Sequence, residues 1–287
     1  MLGKVFQRFV ENSPISVMVR GTLERVLGAE QLDAWYARTA QKPYTRTLVF
    51  STVYDLLSQV VFRLKPSVHA AYRAHEDTVG TSIISVYNKL NGVETHTSAA
   101  LVRYSATVLT PLIAQVGGAC TPWVAGCRVK IIDGNCLEAS AHRLKELRIV
   151  QAGALPGKAF VVFEPAQGLV TAVFPCEDGH AQERALFGTV LETVGADDLW
   201  MADRHCCPCG LLCGIDTRKA FFLLRQHEGL AYERCSPWRS SGRVETGQVS
   251  AQRIRVWDAQ GIAQVFRRLR VKLWITPRVT AITSCTS

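Results

Sequence analysis

The stretch FVVFEPAQGLVTAVF, residues 160–174, decides the fold class. Two runs rich in β-branched and aromatic residues flank Pro165, Gln167 and Gly168, in a segment with the composition of a tight turn. Two such runs separated by a short turn predict an antiparallel β-hairpin.

Short strands and helices alternate on both sides of this hairpin. Before it, an apolar strand is predicted at 129–133. After it, we predict a helix at 179–194, a strand at 198–203, a cysteine-rich helix at 206–217 and a strand at 220–225. This series predicts a mixed α/β domain of the RNase H-like type.

Three further segments complete the predicted organisation. Residues 1–117 show apolar positions three and four apart, which predicts an all-α N-terminal domain, and residues 117–126 form a Gly/Pro-rich linker. The first part of the α/β core is then assigned to 118–228. Residues 229–278 alternate charged and apolar side chains, as at 253–257, which predicts a β-rich insertion.

Within the helical domain, residues 79–92 are similar to the second half of a helix-turn-helix. Ser82, Ser85, Asn88 and Lys89 would then face a DNA groove, while residues 83, 86 and 90 pack inward. An ordinary amphipathic helix closed by Asn91 and Gly92 explains the same pattern. The sequence favours the ordinary helix, because the turn before it is not distinctive, and the helix-turn-helix stays as the alternative.

Composition narrows the class of protein. The 287 residues are 48% hydrophobic and 20% charged, which excludes a disordered, collagen-like or disulfide-miniprotein chain. The net charge of +9 favours a polyanionic partner. The first residues show no export signal, so the ten cysteines are expected to be reduced in the cytoplasm. The uncharged stretch 104–127 is broken by prolines and glycines, which predicts a helix and a linker and no membrane span.

Two aspartates, Asp133 and Asp203, each follow a short apolar strand. Side chains at the carboxyl ends of adjacent parallel strands converge on one crevice. Carboxylate pairs there suit Mg²⁺ or Mn²⁺, and a two-metal site supports in-line attack on a phosphodiester. Aspartates also occur at such junctions for turn geometry alone.

The cysteine-rich segment offers a competing metal site. Residues 205–213 carry His205 and four cysteines, which are ligands for zinc. A structural zinc site usually has two separated ligand pairs, and no second pair is present in the sequence. Reduced cysteines packed along a helix are therefore the preferred interpretation of this segment.

Five short sequence motifs together carry a family resemblance. They are IDGN at 132–135, HRLKELR at 142–148, ALPGK at 154–158, PCEDGHAQER at 175–184 and LWMADR at 199–204. The chain resembles the DDE transposases of bacterial insertion sequences, in particular the insertion-sequence-four family, from residue 12 to about residue 278. This resemblance implies an RNase H-like domain in which three acidic residues bind two divalent metal ions that cut and rejoin DNA. Asp133 and Asp203 match the first two acidic residues.

The resemblance also implies partners. These are DNA, as terminal inverted repeats and as target, a homo-oligomer on DNA, and a bacterial cytoplasmic location at the nucleoid. Arg143, Lys145 and Arg148 are expected to contact DNA phosphate, although a solvated helix face explains any one of them as well. Lys158 and Lys89 complete the set of candidate DNA-binding residues.

The third acidic residue of the family has no counterpart in this chain. In the family, this residue is the glutamate of a Tyr-x₂-Arg-x₃-Glu-x₆-Lys motif, where x is any residue. No tyrosine of this chain begins such a motif. Glu228, Glu233 and Glu245 remain as weaker candidates. Residues 279–287 show no pattern that predicts a helix or a paired strand. Codons can be chosen for them that, read in a shifted frame, encode a plausible loop and next strand of the domain. We therefore expect an out-of-frame tail.

Two functions follow from this sequence. The first is a metal-dependent transposase, truncated and inactive because the third carboxylate is missing. The second is a non-catalytic protein that recognises element ends through its helical domain and inhibits an intact transposase.

Overall fold

The chain is helical in its first part and built on a β-sheet in its second. The computed structural model describes residues 21–22, 24–41, 43, 48–137, 157–176, 186–274 and 279–283. The chain divides into two compact units, Met1–Pro111 and Leu112–Ser287. The described part of the first unit is helical, and that of the second is built on a sheet. The mixed α/β class predicted from the sequence is confirmed.

Helices make up the described elements of the first unit. They are α1 (Ala29–Thr39), α2 (Phe50–Val61), α3 (Val68–Ala74), α4 (Glu76–Val79), α5 (Ile83–Asn91) and α6 (Thr95–Gln115), the last of which runs past the unit boundary. Ser67 and Ser82 cap α3 and α5, because each hydroxyl accepts a backbone N–H three residues later.

Two apolar clusters stabilise this unit. In the first, Val53 and Leu56 of α2 pack with Tyr72 of α3 and Val86 of α5. The second cluster holds α1 against the start of α2, and the rings of Tyr36 and Phe50 stack with their centroids 4.4 Å apart. Each fully buried large side chain contributes about 1.5–3 kcal/mol, so apolar packing is the main stabilising term.

The second unit is built on a mixed sheet of ten described strands: β1 (Arg128–Leu137), β2 (Gly157–Glu164), β3 (Leu169–Cys176), β4 (Asp198–Ala202), β5 (Phe221–Arg225), β6 (Glu233–Arg234), β7 (Arg239–Val244), β8 (Gly247–Trp257), β9 (Ala263–Leu273) and β10 (Val279–Thr283). Their order is β3-β2-β1-β4-β5-β10-β9-β8-β6, and β7 also pairs with β8. β4 is parallel to β1 and β5, and every other pair is antiparallel.

The hairpin predicted from residues 160–174 is present as β2 and β3. Gly168 adopts a left-handed φ of 63°, which a glycine accommodates without strain. Its N–H donates to the Pro165 carbonyl at 3.3 Å, and Gln167 N–H donates to the Glu164 carbonyl at 3.1 Å. The turn chemistry of the sequence therefore sets the register of the hairpin.

The two sheet faces differ in burial. One face carries Phe160, Trp200, Phe222 and Phe266, all buried in a single cluster with residues of two helices, α7 (Phe187–Leu191) and α8 (Cys209–Thr217). The opposite face is less covered, because Val161, Met201, Leu223 and Leu269 on it are all half-buried. Asp133, which pairs with Val161, belongs to this more open face, and Asp203 contacts Arg225 of the same face.

A buried carboxylate joins the beginnings of β1 and β4. Asp198 is fully buried and accepts hydrogen bonds from Arg128 Nε at 2.6 Å and from Gly195 N–H at 2.9 Å. Lys130 Nζ lies 3.0 Å from the same carboxylate and 5.3 Å from the Trp200 ring. The hydrogen bond from Arg128 to Asp198 raises the pKa of Arg128. Asp198 thus stabilises the two strands that carry the candidate site.

β1 extends beyond its predicted end. The sequence pattern ends this strand at Asp133, before Gly134 and Asn135, but the structure continues it to Leu137. Gly134 pairs with Phe160, and Leu137 pairs with Gly157. The antiparallel partner β2 supplies backbone hydrogen bonds that override the local turn preference of Gly-Asn.

The expectation that residues 279–287 pair with no strand is also wrong for 279–283, the part of this segment that the structure describes. β10 lies between β5 and β9 and is antiparallel to both. Ile282 is fully buried, opposite Leu224 on one side and Arg268 on the other. Alternating Thr, Ile and Val residues suit a strand once partners exist on both sides. The out-of-frame origin of this segment stays a hypothesis about the gene.

Within the part of the chain that the structure describes, no helix combines the length and apolar character required to cross a membrane.

Candidate nucleic-acid and metal site

The register of the parallel strands places Asp133 and Asp203 side by side. Ile132 of β1 pairs with Ala202 of β4, and each aspartate is the next residue along its chain. Paired residues of neighbouring strands share a sheet face, so the two carboxylates lie on the open face. Both side chains are exposed. This juxtaposition is the one that the sequence predicted.

The two aspartates differ in their local roles. Asp203 precedes a 3₁₀ turn, Arg204–Cys206, and its carboxylate accepts the Arg204 N–H. Its presence is therefore explained in part by capping. Asp133 lies inside β1, paired with Val161, so turn geometry does not explain it. An exposed aspartate in mid-strand is unfavourable for strand formation, which points to a function for this carboxylate.

A third charged side chain adjoins this pair, and the sequence analysis did not identify it. Arg225 ends β5, and the pairing of Ala202 with Leu224 places it beside Asp203. Its guanidinium lies 3.8 Å from Asp203 Oδ1, and both side chains are about half exposed. The signal was available in the sequence, because Arg225 follows an apolar run in the same way as Asp203. Only the strand order shows that the two are neighbours.

The donor set matches part of a magnesium or manganese site. Asp133 and Asp203 offer hard oxygen ligands, and Mg²⁺ is commonly held by one or two carboxylates together with substrate phosphates. Among the described residues, no group of three or more His, Cys, Asp or Glu side chains could hold a metal ion. A metal at this pair would thus depend on ligands from the substrate.

The remaining acidic candidates lie elsewhere or are engaged. Glu233 is on the edge strand β6, where its carboxylate forms an ion pair with Arg255 at 2.7 Å. Glu228 follows β5 in a loop, and Glu245 lies in the turn between β7 and β8; both are exposed. Within the described ranges, none of the three joins the two aspartates.

Three of the five predicted DNA-binding residues belong to a part of the chain that the structure does not describe. Arg143, Lys145 and Arg148 lie outside the described residues. Lys158 is in β2, where its backbone pairs with Cys136 and Cys176. Its contact with DNA stays a prediction.

Lys89 is described, and its surroundings favour a packing role. Its ammonium lies 4.9 Å from the centroid of the Tyr36 ring, and the side chain is half-buried. Burial lowers the pKa of Lys89, and the nearby Asp33 opposes this shift. The ammonium is therefore directed at α1 in the folded first unit.

The α4–α5 segment has the form of a helix, a tight turn and a second helix. Gly80 ends α4 with a left-handed φ of 64°, and Tyr72 Oη donates to the Thr81 carbonyl at 2.8 Å. Val86 is buried and Ile83 and Leu90 pack against the same cluster, so the predicted inward face is confirmed. The outward face carries Ile84, Tyr87 and Asn88, all exposed.

The cysteine-rich segment is better explained by packing than by zinc. Cys206, Cys207 and Cys213 are buried, and none of the three forms a disulfide. Burial raises the pKa of Cys207, and burial together with nearby acidic groups raises that of Cys213 to about 11. Within the described ranges, no group of three or more His, Cys, Asp or Glu side chains is arranged to hold a metal ion, so packing is the better explanation of this segment.

Comparison with known proteins leaves the family open. No protein-family model matches the chain. No curated protein sequence matches it significantly.

Proposed function

We propose that the protein is a DDE-type DNA transposase of the insertion-sequence-four family with an RNase H-like core. The order of elements from β1 to β5 supports this proposal: a strand, an antiparallel hairpin, a helix, a parallel strand, a helix and a second parallel strand. The five sequence motifs that resemble the family lie in this same segment of the chain.

One observation carries the proposal. Asp133 is an exposed aspartate in the middle of a strand, and the register of β1 with β4 sets it beside Asp203, which directly follows the neighbouring parallel strand. A structural role accounts for Asp203 but not for Asp133. Two adjacent carboxylates on an open sheet face suit a divalent metal that also contacts phosphate.

The chain's own residues define what the site can do. Asp133 and Asp203 would hold Mg²⁺ or Mn²⁺, which in such sites activates a water or a 3′-hydroxyl and neutralises charge on the phosphate. Arg225 contributes a cation at 3.8 Å from Asp203. A guanidinium donates well to phosphate oxygens, so Arg225 would orient the scissile phosphate against the two carboxylates.

The missing third carboxylate limits activity. The sequence has no Tyr, Arg, Glu, Lys spacing of the family type, and the described residues offer only two adjacent acidic ligands. We therefore propose that this chain alone binds metal weakly and does not perform strand transfer. Its location would be the bacterial cytoplasm, at the nucleoid, with DNA and further copies of the chain as partners.

Strand transfer by the purified protein tests this proposal. The substrate is linear DNA cloned from both sides of the coding region, incubated with Mg²⁺ or Mn²⁺ and a target plasmid. We expect a footprint near the outer ends of this DNA and no transfer product. Efficient transfer would contradict the inactive assignment, and equal binding to scrambled DNA of the same length would contradict end recognition.

A second candidate function is a non-catalytic DNA-binding protein, and the geometry of α5 favours it. Its outward face presents Tyr87 and Asn88 within one turn, next to exposed Ile84. Asparagine can pair with adenine through two hydrogen bonds, and apolar side chains contact the thymine methyl group. A helix presented in this way after a tight turn would serve as the reading element of a helix-turn-helix.

Replacing Asn88 with Ala tests whether α5 reads sequence. We expect the preference for end DNA over scrambled DNA to fall about tenfold, because one bidentate base contact contributes roughly 1–3 kcal/mol of discrimination. Competition gel shifts provide the measurement. Gln31→Ala, which removes an exposed amide from α1, is the matched control and should leave the preference unchanged. Equal preference in both variants would assign α5 a packing role alone.

A further inference from the structure

The β-rich segment carries most of the excess charge of the protein. Residues 229–276 contain nine Lys and Arg residues against three Asp and Glu residues, a net of +6 out of the +9 of the whole chain. Among the described residues of this segment, Arg255 with Glu233 forms an ion pair. No ion pair to a described carboxylate is found for the other arginines that face solvent here.

Two of these arginines face each other directly. Arg253 of β8 pairs with Arg267 of β9, and both side chains are exposed. Like charges at directly opposite positions of an antiparallel pair destabilise the sheet. The arrangement is therefore unfavourable in the isolated fold and becomes favourable when an anion lies between the two guanidinium groups.

The register places this pair on the open face that carries the aspartates. Arg225 of β5 pairs with Ala281, Ala281 with Leu269, and Leu269 with Ala251. Arg267 is two residues from Leu269 on β9, and Arg253 is two residues from Ala251 on β8. Both therefore share the sheet face of Arg225. Strands are about 4.8 Å apart, so Arg267 lies roughly 10 Å and Arg253 roughly 15 Å across the sheet from Arg225.

A fourth arginine continues the line to the edge. Arg239 of β7 pairs with Ala251 and is exposed. Between the charged positions, Ala281 and Ala251 have small side chains, which leave room for a backbone to lie close to the sheet. We name Arg225, Arg267, Arg253 and Arg239 the arginine track.

We propose that the arginine track binds the phosphate backbone of duplex DNA, independently of base sequence, and directs it across the sheet face to Asp133 and Asp203. This inference rests on the proposed function for its choice of DNA as the anion. Guanidinium groups bind phosphate in a fixed planar geometry, and exposed arginines spaced along a line match successive phosphates of one strand. Since no base is read, the contribution is electrostatic and depends on salt.

Salt-dependent binding of a random-sequence 30-base-pair duplex in EDTA tests the track. Arg253→Gln, Arg267→Gln and Arg239→Gln should each weaken binding roughly fivefold at 0.1 M salt and reduce the slope of log K against log salt by about 0.9. Arg253→Lys should keep most of the affinity. The melting temperature of the Arg253 and Arg267 variants should be unchanged or higher, because a repulsive pair is removed.

The matched control is Arg243→Gln. Arg243 is exposed on β7 and pairs with Gln248, which the strand alternation places on the opposite face. It removes the same charge from the same segment, and its slope should equal that of the wild type. Equal losses for Arg243 and the track variants would show general charge attraction and overturn the proposal, as would stronger binding to phosphatidylserine vesicles than to DNA.

The binding experiment distinguishes a failure of the arginine track from a failure of the proposed transposase function. Without metal and with random DNA, a failure of strand transfer or end recognition does not affect the result. Asp133→Asn should bind the duplex at least as well as the wild type, because it removes a negative charge from the DNA path.

Discussion

Asp198→Asn is expected to lower the free energy of unfolding of the second unit by about 3 kcal/mol. Asp198 is fully buried and contacts Arg128 at 2.6 Å and Lys130 at 3.0 Å. Removing one partner of a buried ion pair typically costs about 3–5 kcal/mol, because the remaining charge is left uncompensated. The estimate is at the lower end because Arg128 is 52% exposed and regains water, whereas the Lys130 side chain is 13% exposed.

Urea unfolding followed by tryptophan fluorescence, to which the buried Trp200 contributes, measures this effect. Asp197→Asn is the control, since Asp197 is exposed and has a φ of 62° that asparagine tolerates. It should change stability by less than about 0.5 kcal/mol. An Asp198 variant as stable as the Asp197 variant would show that the buried carboxylate does not stabilise β1 and β4.

Asp133→Asn and Asp203→Asn should each weaken Mn²⁺ binding to the DNA complex by at least about tenfold. Loss of residues that only orient metal ligands already costs about 10–100-fold in affinity, so loss of a direct ligand should cost no less. An amide is a poorer ligand than a carboxylate for a hard cation. Isothermal titration calorimetry of the protein bound to duplex DNA gives the dissociation constants.

Asp197→Asn again supplies the control, because it lies before β4 while Asp203 follows it. The same change at the opposite end of the strand should leave Mn²⁺ affinity unaltered. Asp133→Asn should keep the wild-type stability, since its carboxylate is exposed. Asp203→Asn should lose at most about 1 kcal/mol through its cap to Arg204.

Local patterns predicted the hairpin and the parallel strands well. The turn residues at 165–168 act within a few positions of the chain, and Gly168 has the left-handed conformation that the turn requires. The apolar runs that became β4 and β5 are bounded by polar residues, so their limits were visible. Asp203 was identified for the same reason, because it directly follows such a run.

Features that depend on distant partners were not predictable in this way. β10 becomes a strand because β5 and β9 leave a place for it, and its own residues show too little pattern. The continuation of β1 past Gly134 depends on pairing with β2. The arginine track, which includes Arg225, shares a sheet face with the aspartates only because of the strand order. The periodicity of apolar residues in the sequence does not give that order.

The surroundings of Lys89 also depend on a residue that is distant in the sequence. In the sequence, it shares a helix with Ser82 and Asn88, and a groove-facing role is reasonable. In the fold, α1 lies close enough for its ammonium to sit over Tyr36, so a packing contact competes with DNA. Asn88 and Tyr87 remain on the exposed face of α5.

Electron paramagnetic resonance of Mn²⁺ tests the proposal that Asp133 and Asp203, together with DNA phosphate, hold a divalent metal ion. The signal of free Mn²⁺ in the presence of the protein–DNA complex gives the bound fraction. We predict that Mn²⁺ binds the complex more tightly than either protein or DNA alone, and that Asp133→Asn combined with Asp203→Asn removes this gain. Equal Mn²⁺ binding by the wild type and the double variant would contradict the claim.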